Sequence, residues 1–126
     1  MSSTNTDDQV AEVVRRYVSL LATGSTDDLL DLFAEDATVE DPVGSDVRAG
    51  QNEIREFFST LQELERQTDL ILLRVVGNEA AFSFTITFKV GGTPMRLQPI
   101  DTMTFDRDGK ITSVRSYFAP GDLTEV

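Results

Sequence analysis

The chain carries no histidine and no cysteine, so acid–base or nucleophilic chemistry has to be built from carboxylates, phenols or amines. Ser-His-Asp and Cys-His arrangements and the usual zinc ligand sets are excluded by composition alone. Three polar groups nevertheless fall on otherwise apolar faces. In 95–106, alternation puts Met95, Leu97, Pro99, Asp101, Met103 and Phe105 on one side, and Arg96, Gln98, Ile100, Thr102, Thr104 and Asp106 on the other. Asp101 therefore sits midway along an apolar face, where a carboxylate is poorly solvated. Its pKa should rise, and the protonated form can donate a hydrogen bond. A bulge or a nearby arginine would instead leave it an ordinary aspartate. Asp41 shares a side with Ala37 and Val39 at the mouth of a turn. That position suits a carboxylate base, and equally an Asp-Pro turn initiator that bonds the next backbone amides. Tyr17 lies in the apolar stripe of a helix, which by itself reads as a core aromatic with its hydroxyl at the edge. The other tyrosine, Tyr117, shares a strand face with Ile111 and Ser113 and carries no comparable signal.

The elements that must position these groups are marked by capping and periodicity. Thr6 with Gln9 forms a capping box, Asp7 and Asp8 suit a first turn, and Val10, Val13, Val14, Tyr17, Val18 and Leu21 fall on one stripe. This predicts a helix that stops at Gly24. Thr26, Asp27 and Asp28 open a second short helix carrying Leu29, Leu30, Leu32 and Phe33. An extended segment at 37–41 runs into the turn Pro42–Ser45, with Pro42 biasing Asp41 away from helical dihedrals. The spacing of Ile54, Phe57, Phe58, Leu61 and Leu64 predicts a third helix over 51–66. Strands are expected at 70–76, 79–90, 94–106 and 110–118, separated by Gly77-Asn78, Gly91-Gly92 and the hairpin turn Asp106-Arg107-Asp108-Gly109. Helices followed by an antiparallel meander imply an α+β domain whose curved sheet wraps its apolar face around three N-terminal helices. In 82–89, Phe82, Phe84, Ile86 and Phe88 share one face, either as core or as the wall of a cavity for a flat hydrophobic ligand.

The length of 126 residues, without repeats or linkers, predicts one continuous domain over 1–126, with 1–5 a loose tail and 119–126 a C-terminal extension. Eleven Lys and Arg against 22 Asp and Glu give a net charge of −11, which argues against nucleic acid or an anionic membrane as partner. No apolar run approaches a membrane span, so membrane insertion is not expected. The segment MSSTNTDD has neither a basic region nor an apolar core, and cysteine is absent, so the compartment expected is the cytoplasm. The ligand expected is small and not strongly anionic, and no metal site is expected.

The residues just described resemble the delta-5-3-ketosteroid isomerase family, within the nuclear-transport-factor-2-like α+β cone folds. The similarity runs from about Val10 to Phe118. It is carried by Arg16-Tyr17-Val18, by Leu32-Phe33-Ala34 with Ala37 through Ser45, by Ile54-Arg55-Glu56-Phe57, by Asn78 through Phe82, and by Pro99-Ile100-Asp101. The segment VEDPVGS is the most specific part. The resemblance implies that Tyr17 and Asp101 donate hydrogen bonds to a ketone oxygen while Asp41 moves a proton, a neutral buried carboxylic acid being an established device of this family. It implies no cofactor, a 3-ketosteroid ligand, and a homodimer through the open sheet. The ring-binding wall it implies comprises Leu21, Phe57, Phe58, Phe84, Ile86, Phe88, Met103, Val114 and Phe118. Phe33 and Phe58 stand where some members carry further tyrosines, and Phe118 where some carry tryptophan. The fold also serves other purposes. A hydrophobic-ligand binding module, or a cyclase or hydrolase of the same fold, is the competing expectation.

Overall fold

The computed structural model describes residues 6–126, and the tail expected at 1–5 lies outside them. Helix α1 (Asp7–Thr23) starts at the capping box, Thr6 accepting from the Gln9 amide and the Gln9 side chain accepting from the Thr6 amide. It buries Val10, Val14, Tyr17, Val18 and Leu21 against the sheet. Gly24 ends the helix as expected, but in extended rather than left-handed backbone. Space is the reason for glycine there, since a Cβ would come within 2.7 Å of Leu20 Cδ2.

Helix α2 (Thr26–Leu30) is capped by a reciprocal Ser25–Asp28 pair and is shorter than expected. Leu32 falls in a turn and Phe33 opens strand β1 (Phe33–Glu40). The cause is tertiary: the Ile111 amide donates to the Leu32 carbonyl at 2.8 Å, and Phe33 pairs with Ile111, drawing the chain into the sheet. A two-residue strand β2 (Arg48–Ala49), absent from the sequence reading, precedes helix α3 (Gln51–Gln62).

Helix α3 ends four residues short of the expected 66, and strand β3 runs over Arg66–Val76 instead of 70–76. The polar run Arg66-Gln67-Thr68-Asp69 hides the start of this strand, which is set by pairing with β4 (Glu79–Val90). Arg66 also explains where both long helices stop. Neither has a basic residue in its last turn. The Arg66 guanidinium supplies that charge, donating to the Leu61, Gln62, Leu64 and Gly24 carbonyls at 3.0, 2.9, 3.1 and 2.9 Å and to the Leu21 carbonyl.

The expected strand 94–106 is two strands, β5 (Thr93–Leu97) and β6 (Ile100–Phe105), broken at Gln98-Pro99. Long β4 pairs with β6 through Glu79–Ser83 and with β5 through Ile86–Val90, so the strand beside it changes between Ser83 and Ile86. Strand β7 (Ile111–Tyr117) completes the concave surface. The segment 119–126 forms a short 3₁₀ turn and strand β8 (Thr124–Glu125), which pairs with β5. Among the described residues the sheet has eight strands in the order β2-β1-β7-β6-β4-β5-β8, with β3 on β4. Every pairing is antiparallel except β1 with β7. The sheet is curved and unclosed and holds the three helices in its concavity, an α+β cone. Its core joins Val10, Val14 and Leu21 of α1, Ile54 and Phe58 of α3, and Phe82, Met103, Ile111 and Val114 of the sheet.

Candidate active site

A cavity of about 240 Å³ opens between the helices and the concave face. Tyr17 and Leu21 of α1 line it, with Asp41 after β1 and Phe57, Phe58, Thr60 and Leu61 of α3. The sheet contributes Phe84, Ile86, Phe88, Leu97 and Ser116, Pro99 adds to it from the β5–β6 break, and Phe118 follows the end of β7. The wall is therefore largely aromatic and aliphatic, with few polar groups to orient a ligand.

Asp41 sits one residue beyond β1, at the cis Asp41–Pro42 peptide. Burial raises its carboxyl from the ordinary value to about 6, against the pull of the Arg48 guanidinium. Arg48 lies over the Phe57 ring at 4.7 Å from the centroid and donates to the Asp46 carbonyl at 3.1 Å. Its neighbour Glu40 points to the other face of β1 and meets the opposite fate. The Gly44 amide and Arg115 both donate to it, holding its carboxyl below the ordinary value. Gly44 adopts φ +98°, a left-handed turn position that favours glycine.

Asp101, the second residue of β6, is 1% exposed, on the inward face that the alternation predicts. Burial pushes its carboxyl up to about 8, the Ser116 hydrogen bond works in the other direction, and the charge of Asp41 raises it further. Among the described residues no arginine bonds to it. Ser116 Oγ donates to Asp101 Oδ1 at 2.6 Å. Tyr17 is 2% exposed, and its ring meets Phe33, Phe58 and Phe82 edge-on at 6.3, 6.2 and 6.3 Å. Burial, then Asp101, then Asp41, push its hydroxyl well above the ordinary phenol value. Tyr17 and Asp41 thus share the cavity wall, and the charges of Asp41 and Asp101 both act on the Tyr17 hydroxyl.

Of the nine wall residues named from sequence, Leu21, Phe57, Phe58, Phe84, Ile86, Phe88 and Phe118 line the cavity. Met103 and Val114 do not. They pair with each other two residues along from Asp101 and Ser116, where the concave face is filled, and both are 1% exposed core. Asp101 itself is not part of the lining; it is hydrogen-bonded to Ser116, which is. Sequence reading missed Thr60, Leu61, Leu97, Pro99 and Ser116. Leu97 and Pro99 share the Asp101 face, so the alternation contained that signal. Ser116 was hidden by a bulge at Thr112, which shifts the register between Thr104↔Ser113 and Phe105↔Ile111. Ile111, Val114 and Ser116 consequently point inward, and Tyr117 points out. Among the described residues no group of three or more His, Cys, Asp or Glu side chains gathers to hold a metal ion, and no helix is long and apolar enough to cross a membrane.

An acidic, cysteine-free cone with a phenol and a carboxyl on the wall of an apolar cavity, and a second, buried carboxyl bonded to that wall through Ser116, belongs to the SnoaL-like domain family, which matches residues 14–114. Within that class the chain is a member of the steroid delta-isomerase family of nuclear-transport-factor-2-like folds. Over 115 residues, 91% of this chain and 94% of the relative, it is 44% identical to Steroid Delta-isomerase of Nocardioides simplex. Among solved structures it resembles the epoxide hydrolase/cyclase-like enzyme SalBIII, described in pyran ring formation in polyether salinomycin. That match has a TM-score of 0.89 and 27% identity, and covers 94% of this chain and 97% of that one. It also shares its fold with RV0760c of Mycobacterium tuberculosis, with a TM-score of 0.87 and 18% identity over 97% and 99% of the two chains.

Proposed function

We propose that this chain is a steroid delta-isomerase that moves the isolated double bond of a 3-oxo-5-ene steroid into conjugation. Asp41, ionised, takes a proton from the carbon between the carbonyl and the double bond. The carbonyl oxygen, seated against Tyr17 at the Ser116 end of the cavity, becomes a dienolate and receives hydrogen bonds from Tyr17 and from neutral Asp101. Asp41 then returns the proton to the far end of the diene, giving the conjugated enone. One proton leaves and one arrives, so no cofactor is required by the balance of the reaction. The aromatic walls hold the rings and exclude water.

The observation that carries this reading is the split between the two carboxyls. With Asp41 titrating at about 6 and Asp101 at about 8, the interval between holds one as a base and the other as a donor. The 44% identity to a protein named for this reaction supports it. A cyclase or hydrolase activity is the alternative, favoured by the likeness to SalBIII at lower identity. The test is an absorbance assay for conjugated enone formation from 5-androstene-3,17-dione. Wild-type protein should form the enone and Asp41→Asn, still folded, should not. No enone from wild type, or near wild-type turnover by the variant, refutes the reading.

The proposal extends to assembly and location. Leu72, Ser83, Ile100 and Tyr117 form one register row across β3, β4, β6 and β7. Leu72, Ile100 and Tyr117 are exposed, an apolar stripe on the outer face suited to a second copy of the chain. The absence of cysteine accords with a cytoplasmic protein.

A further inference from the structure

Ser116 on β7 lies directly opposite Asp101 on β6 and is itself 1% exposed. Its hydroxyl donates to Asp101 Oδ1 at 2.6 Å. Its carbonyl accepts from the Val43 amide at 2.8 Å, in the turn that follows Asp41. One residue therefore ties both carboxylate-bearing segments to β7, one through its side chain and the other through its backbone. Building on the isomerase reading above, we propose that Ser116 is a positioning residue that holds Asp101 Oδ1 toward β7, so that Oδ2 carries the proton and presents it to the ligand oxygen beside Tyr17.

A neutral carboxylic acid has one O–H, and the oxygen already accepting from a hydroxyl is the carbonyl oxygen. Ser116 thereby selects Oδ2 as the protonated atom. Without it either oxygen can carry the proton, and part of the population aims it into the sheet. Donation into the C=O also draws electron density from the carboxyl, which makes Oδ2–H a stronger donor. The groups facing Asp101 are few. Strand β4 offers Phe82, β7 offers Ser116, and the titratable groups acting on it are Tyr17 of α1 and Asp41 at the end of β1. Removing the hydroxyl removes a bond that favours the ionised form, so the Asp101 carboxyl should then titrate at higher pH.

Ser116→Ala tests this, because it deletes Oγ and leaves the backbone link to Val43 in place. The first readout needs no steroid: the ¹³C NMR titration of the Asp101 carboxyl should move up by about one on the pH scale. The second is the pH profile of enone formation, in which the alkaline limb should follow Asp101 upward while the acid limb of Asp41 stays where it is. At neutral pH kcat should fall on the order of tenfold with KM nearly unchanged. Ser116→Cys, a weak donor of similar size, should lie between wild type and alanine in both readouts. An unmoved Asp101 titration overturns the assignment, as does an acid limb that moves. A loss of kcat as large as that of Asp101→Ala also overturns it, since Ser116 would then be a direct donor. Failure of wild type to isomerise refutes the functional reading instead, and the titration separates the two failures.

Discussion

Replacing Asp101 by asparagine separates the two consequences of burying a carboxyl, its cost to stability and its service to chemistry. The amide keeps an oxygen to accept from Ser116 and an N–H to donate, in the shape of the neutral acid, and it does not titrate. An unfolded aspartate titrates at about 3.9, whereas Asp101 in the fold titrates at about 8. Because the folded value is the higher, the folded state holds the proton more tightly than the unfolded chain. Stability is therefore lost as pH rises from about 4 toward about 8, with the full penalty above that. At 1.36 kcal/mol per pK unit the penalty is about 1–2 kcal/mol at pH 5, about 4 at pH 7 and about 5–6 above pH 9. Asp101→Asn should stabilise the protein by roughly these amounts, read as the difference between variant and wild-type urea unfolding at the three pH values. In the enone assay the alkaline limb near pH 8 should disappear while the acid limb of Asp41 near 6 remains. The rate should fall on the order of ten- to thousand-fold, because an amide is a weaker donor than a carboxylic acid. A stability gain that does not grow with pH would refute the reasoning, since Asp101 would then be an ordinary ionised aspartate.

Tyr17→Phe keeps the ring packed among Phe33, Phe58 and Phe82 and removes the hydroxyl, so kcat should drop on the order of ten- to thousand-fold with the unfolding midpoint nearly unchanged, measured by enone formation and urea denaturation. Arg66→Leu strips the shared partner from the carbonyls ending α1 and α3 and should cost about 2–4 kcal/mol in chemical denaturation, with Arg66→Lys recovering only part. Ile100→Asp introduces a charge in the middle of the outer apolar row and should convert the proposed dimer to monomer in sedimentation equilibrium, whereas a mass equal to that of wild type would rule out this face as the contact.

Local chemistry was legible wherever a short stretch decides its own structure. The Thr6–Gln9 capping box, the inner stripe of α1 and the full span of β4 follow from caps and periodicity, which act within a few residues. The burial of Asp101 followed from strand phase, because period 2 survives from Leu97 to Phe105 despite the break at Gln98-Pro99. Phase failed at Ser116, where one extra residue at Thr112 reverses the inward face of β7, a choice made by pairing with β6. The early start of β3, the shortening of α2 and the existence of β2 were hidden for the same reason, each being set by a partner distant in sequence.

The sequence by itself determined the repertoire: no imidazole or thiol, a phenol at 17 on the inner stripe of a helix, a carboxyl at 41 before a turn, and one at 101 on an apolar strand face. Only the tertiary structure decided how those carboxyls behave. A pKa depends on what displaces water around a group, and for Asp41 and Asp101 that is done by side chains from other strands and helices. The same packing closed Met103 and Val114 into the core and left Ser116 at the cavity wall, touching the carboxyl it opposes.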